Sequence, residues 1–74
     1  MTVERIILRI KHLRLQKDLT QQMVADWLKM KQNAYARIES GATKLTVERL
    51  FQIAAVLSST TNELLSDEPI KLEI

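Results

Sequence analysis

Leu19-Thr20-Gln21-Gln22-Met23-Val24-Ala25-Asp26-Trp27-Leu28-Lys29-Met30-Lys31-Gln32-Asn33-Ala34-Tyr35-Ala36-Arg37-Ile38-Glu39-Ser40-Gly41 is the stretch that decides how this 74-residue chain is organised. Thr20 is suited to start a helix over 21–28, because its hydroxyl can accept a hydrogen bond from one of the N–H groups that a first helical turn leaves unpaired. Val24, Ala25 and Leu28 recur on one face of that helix. After the connection Lys29-Met30-Lys31, Tyr35 and Ile38 mark the buried stripe of a second short helix over 32–40, and Gly41 supplies the left-handed residue that commonly stops one. On a helix anchored by buried Tyr35 and Ile38, the outward residues are Asn33, Ala36 and Arg37, with Gln32 at the N-terminal end.

The flanks are helical too. Upstream, Ile6, Ile7, Ile10, Leu13 and Arg14 follow the three- and four-residue spacing of one helix face behind Thr2 as N-cap, and this helix is expected to end near Lys17-Asp18. Downstream, Thr46 caps a helix carrying Val47, Leu50, Ile53, Ala54 and Leu57 on one face. Thr60 and Glu63 have the spacing of a capping box ahead of Leu64-Leu65, which predicts a fifth, short helix. Beyond Pro69 the period changes to alternation, with Ile70, Leu72 and Ile74 on one side and Lys71 and Glu73 on the other. That pattern reads either as a short C-terminal β-strand pairing antiparallel with its own copy across a two-fold axis, or as a frayed terminus. The expected fold class is all-α, a five-helix bundle with that optional strand, divided into one domain over 1–68 and a tail over 69–74.

Composition bounds the function. One glycine, one proline and three aromatics argue against a β-rich fold, and zero cysteines exclude disulfides, thiolate metal sites and thiol nucleophiles. His12 is the only histidine, so a multi-histidine metal site is excluded and a solvated role is expected for it. No apolar run approaches the roughly 18 residues that span a bilayer, and the first residues lack the pattern of a signal peptide; the chain reads as soluble and cytoplasmic, without membrane association. Net charge is split: 1–61 carry +5, whereas 62–74 carry −3 through Glu63, Asp67, Glu68 and Glu73 against Lys71. A basic body suits a polyanionic partner. No nucleophile–base pair, glycine-rich phosphate loop or carboxylate cluster is present, so an enzyme is not expected, and neither is a cofactor.

Two short helices joined by a tight connection form a helix-turn-helix. Leu19-Thr20-Gln21-Gln22-Met23-Val24-Ala25, Tyr35-Ala36-Arg37-Ile38-Glu39-Ser40-Gly41, Leu50-Phe51-Gln52-Ile53-Ala54-Ala55-Val56-Leu57 and Asn62-Glu63-Leu64-Leu65 arrive in the order and at the spacings that resemble the Cro/phage-repressor family of helix-turn-helix DNA-binding domains, over about residues 5–66. The resemblance implies a five-helix fold, double-stranded DNA as partner and a tendency to homodimerise. Gln32, Asn33, Ala36 and Arg37 match the family's base-reading positions, and their chemistry suits that role, since carboxamides can bond adenine, arginine can fork onto guanine, and alanine can lie against a thymine methyl. Gln21 matches a phosphate-contacting position at a helix N-terminus, with Lys29, Lys31 and Lys44 as companions. Arg14 and Glu39 match a structural ion pair found in relatives. Three residues depart from the pattern. Lys29 stands where the turn usually has glycine, Leu45 where proline often precedes the fourth helix, and Ser58 where glycine often follows it. A left-handed Lys29 would cost about 1 kcal/mol.

The functional expectation is a sequence-specific transcriptional regulator, a repressor-like homodimer reading a pseudo-palindromic operator through the major groove, with Ile70, Leu72 and Ile74 as dimer contacts. The alternative is a protein-interaction module, such as an antitoxin, that keeps the fold without reading DNA. Met23 and Trp27, four apart and outside the inward set of their helix, would then meet the protein partner together with the alternating tail, and Leu8 and Leu15 lie opposite Ile10.

Overall fold

The computed structural model describes residues 2–57. They form four helices, α1 (Val3–Gln16), α2 (Gln21–Trp27), α3 (Gln32–Glu39) and α4 (Val47–Val56). Three of the four begin at a threonine in extended conformation, as its side chain's competition for local N–H groups requires. Thr2 Oγ1 accepts from the Arg5 N–H at 3.2 Å, Thr20 Oγ1 from Met23 at 3.1 Å and Thr46 Oγ1 from Arg49 at 3.1 Å. The fourth, α3, starts at Lys31 without a side-chain cap.

Among the described residues, α1, α2 and α3 are each followed by a left-handed residue. Asp18 (φ 56°), Lys29 (φ 58°) and Gly41 (φ 82°) each follow a helix by one residue beyond its cap. After α1, the Asp18 N–H donates to the Leu15 carbonyl and the Leu19 N–H to the Arg14 carbonyl, both at 3.0 Å. After α2, the Lys29 N–H donates to Asp26 at 3.1 Å and the Met30 N–H to Ala25 at 2.8 Å. This paired pattern satisfies the last carbonyls of a helix and needs positive φ at the turning residue. Lys29, standing where the family pattern usually has glycine, takes up the left-handed conformation, and the turn is not reshaped to avoid it.

Burial of one stripe from each helix makes the core: Ile6 and Ile10 from α1, Val24 and Ala25 from α2, Tyr35 and Ile38 from α3, and Leu50, Ile53 and Ala54 from α4, closed by Leu57. Contacts run between α1 and α3, α2 and α3, and α2 and α4. Tyr35, Ile10, Ile53 and Leu57 are the largest fully buried side chains, so α3 is anchored by an aromatic ring surrounded on several sides.

Two expectations are corrected. Val47, placed on the apolar face of α4 by spacing, is 71 % exposed, because the first helical residue projects past the end of the core. Leu28, expected as the last residue of α2, is its C-cap, while its inward reading holds, since it is partly buried and packs against the core. Leu8, Leu15, Met23 and Trp27 are exposed, matching their outward reading. The predicted fifth helix and the strand carrying Ile70, Leu72 and Ile74 lie outside the described residues. Among the described residues, no helix is long and apolar enough to cross a membrane.

Candidate nucleic-acid interface

A reading helix must be held rigidly on one side and left open on the other. The inner side of α3 is fixed by Tyr35, Ile38 and Glu39, all buried. Glu39 and Arg14, 25 residues apart, make a forked pair: Arg14 Nε donates to Glu39 Oε2 at 2.8 Å and Nη2 to Oε1 at 3.2 Å. The third guanidinium nitrogen, Nη1, donates to the Leu19 carbonyl at 2.7 Å. Gln21 Nε2 adds a donor to Glu39 Oε1 at 3.3 Å. The two charges are thus almost completely removed from water and supplied with several hydrogen bonds, the condition under which a buried pair can persist. Through them α1, the start of α2 and the last turn of α3 are tied together, as expected for Arg14 and Glu39.

Tyr35 sits beside this pair. Its hydroxyl is buried and reaches no partner in hydrogen-bonding geometry. Burial, reinforced by the nearby Glu39 carboxylate and opposed in smaller measure by Arg14, pushes its pKa well above the usual tyrosine value.

The outer side of α3 is polar and open. Gln32, Asn33 and Arg37 are exposed, while Ala36 is half-buried and so less outward than its place on the helix wheel suggests. Lys29, Lys31 and Lys44 are exposed around this helix. Gln21 is half-buried, and its amide nitrogen is turned toward Glu39, so the side chain expected at phosphate already serves the ion pair. Arg37 Nε donates to Thr43 Oγ1, in the loop that follows α3, at 3.4 Å.

That contact opens onto a cleft of about 300 Å³ between the second half of α3 and the start of α4, lined among others by Arg37, Thr43, Lys44, Thr46 and Arg49. Arg49 Nη1 donates to Gln52 Oε1 at 2.9 Å. Thr43 and Arg49 are the lining residues that sequence reasoning missed. One signal was available for Arg49. It stands three residues after the Thr46 cap, where a capping box would place glutamate and where the positive end of a helix disfavours a cation. Among the described residues, no three His, Cys, Asp or Glu side chains converge to hold a metal ion.

No curated protein and no solved structure matches the chain. A sequence model of a helix-turn-helix family of DNA-binding regulator domains does match, over residues 10–64, which includes α2, the turn, α3 and α4 in full. With that match spanning most of the chain, and with two short helices joined by a left-handed turn and one polar helix face left open, the protein belongs to the Cro/C1-type helix-turn-helix family.

Proposed function

We propose that the chain is a sequence-specific transcriptional regulator, acting as a repressor-like homodimer that inserts α3 into the major groove of a pseudo-palindromic operator. One observation carries this reading: the helix that exposes Gln32, Asn33 and Arg37 is the same helix whose opposite face is locked by Tyr35, Ile38 and the Arg14–Glu39 pair. Rigid presentation of carboxamides suits bidentate bonding to base edges, each good pair being worth about 1–3 kcal/mol of discrimination. Ala36 would approach a thymine methyl beside them. Lys29, Lys31 and Lys44, with the backbone at Gln21, would hold phosphates and set the salt dependence without reading sequence. The alternation of Ile70, Leu72 and Ile74 supports a tail-to-tail homodimer. Two-fold symmetry then places half-site centres about 34 Å apart, or a multiple of that distance.

Selection of bound duplexes from a randomised pool tests this. A consensus with two inverted half-sites is expected; no enrichment at low salt refutes the regulator and favours a protein-interaction role. Trp27, 54 % exposed, beside Met23, 41 % exposed, is the surface that supports this second reading.

A further inference from the structure

We propose that the groove between the N-terminal turns of α1 and α4 is the seat of the chain's own segment 70–74, with Ile70, Leu72 and Ile74 laid against Val3, Val47 and Phe51. The groove has a volume of about 270 Å³, and no charged side chain lines it. Ile6 and Leu50 belong to the core, whereas Val47, Phe51 and Val3 beside them are 71 %, 58 % and 52 % exposed. A single exposed apolar side chain such as Leu15 needs no explanation. Three around one apolar concavity mark a surface that something covers.

The sequence after α4 supplies the cover. From Val47 to Leu57 the helix rises about 15 Å away from the groove, and the 12 residues 58–69 are ample to bring the chain back over that distance. The spacings agree as well. In an extended segment Ile70, Leu72 and Ile74 stand on one side about 6.6 Å apart, close to the roughly 6 Å between Val47 and Phe51 one turn on along α4. Lys71 and Glu73 then stay in water, so only apolar side chains enter a groove that offers no partner for a charge. Tail-to-tail pairing, as proposed above, would satisfy the strand's backbone but leave one face of the ribbon apolar, and two strands alone are marginal in water without a helix to pack on. The present proposal rests on the extended tail of that reading and adds where its apolar side goes.

The test uses the full chain, whose lack of cysteine makes any introduced pair unique. Leu72→Cys is combined in turn with Val47→Cys and with Phe51→Cys, and with Leu15→Cys as a control on another exposed surface. After mild oxidation, mass and non-reducing gels should show a disulfide within one chain in at least one of the first two pairs and none in the control, because the two Cβ atoms must come within about 4.5 Å. Disulfides in neither pair, or only between chains, overturn the proposal; the second result would place a partner copy's tail in the groove. Melts give an independent readout. Phe51→Gln and Leu72→Gln should each lower the melting temperature by about 5 °C or more, and the double variant by less than their sum. A melt unchanged by Phe51→Gln, or additive losses, overturns the proposal. Sedimentation of the wild type keeps the two readings apart: a monomer removes the tail-to-tail homodimer, while the disulfide within one chain still decides the groove.

Discussion

Glu39→Ala is the perturbation that bears hardest on the architecture behind the reading helix. Glu39 accepts three hydrogen bonds, two from Arg14 at 2.8 and 3.2 Å and one from Gln21 at 3.3 Å, and both members of the ion pair are buried. Its removal strands the Arg14 guanidinium in the interior with only the Leu19 carbonyl to bond. Breaking a buried pair from one side costs about 3–5 kcal/mol, most of it the desolvation of the charge left behind. A domain of this length has roughly 4–11 kcal/mol of stability in total, so the variant should lose about a quarter of it or more. At about 4–8 °C per kcal/mol, its melting temperature should fall by at least about 12 °C. Thermal and urea melts followed by circular dichroism measure this, and Arg14→Met with the double variant completes a cycle. Removing both partners should cost less than the sum of the single losses, because no orphaned charge remains. A Glu39→Ala melt within a degree or two of wild type, or additive single effects, would refute the reasoning.

Three further outcomes follow from the backbone and the core. Lys29 holds φ 58°, so Lys29→Gly should raise stability by about 1 kcal/mol, and a melting temperature at or below wild type contradicts it. Gly41 holds φ 82° with open space where a Cβ would go, so Gly41→Ala should cost about 1 kcal/mol through backbone strain alone; an unchanged melt contradicts that. Tyr35→Phe removes a buried hydroxyl without a hydrogen-bond partner, so at neutral pH it should be at least as stable as wild type. The same residue gives a pH signature. Its folded-state pKa is raised, so its contribution is fully present below the unfolded value of about 10 and is lost as pH rises beyond it, by up to about 1.4 kcal/mol per unit. Urea melts from pH 9 to 11 should show a steeper decline for wild type than for Tyr35→Phe, and parallel declines would contradict the burial argument.

Caps and stripes were legible because their causes are local. A threonine oxygen competes for an N–H three residues on, and this placed the starts of α1, α2 and α4 at Thr2, Thr20 and Thr46. Gly41 announced its turn by composition, whereas Asp18 did so only through the loss of apolar periodicity and Lys29 only through resemblance to a family with glycine there. A left-handed aspartate or lysine is imposed by carbonyls that must be satisfied behind it, not preferred by the residue itself. Arg14 and Glu39 are 25 residues apart, and no periodicity connects them; the family pattern did. Periodicity misplaced Val47 because it describes a direction around a helix axis and says nothing of where the core ends along it. The cleft was illegible for a related reason. Arg37 lies on the outward arc by spacing, but its bond to Thr43 and the convergence of Arg49 depend on how α4 docks behind the loop.

The identity of the base-reading side chains is tested most directly by pool selection with Asn33→Ala beside wild type. Asn33 is exposed on the open face of α3 and plays no part in the buried ion pair, so the variant should fold normally and bind with ordinary salt dependence. Its selected consensus should lose preference at one or two base pairs in each half-site and keep the rest. A consensus identical to wild type at every position would contradict the claim that this face of α3 reads DNA sequence.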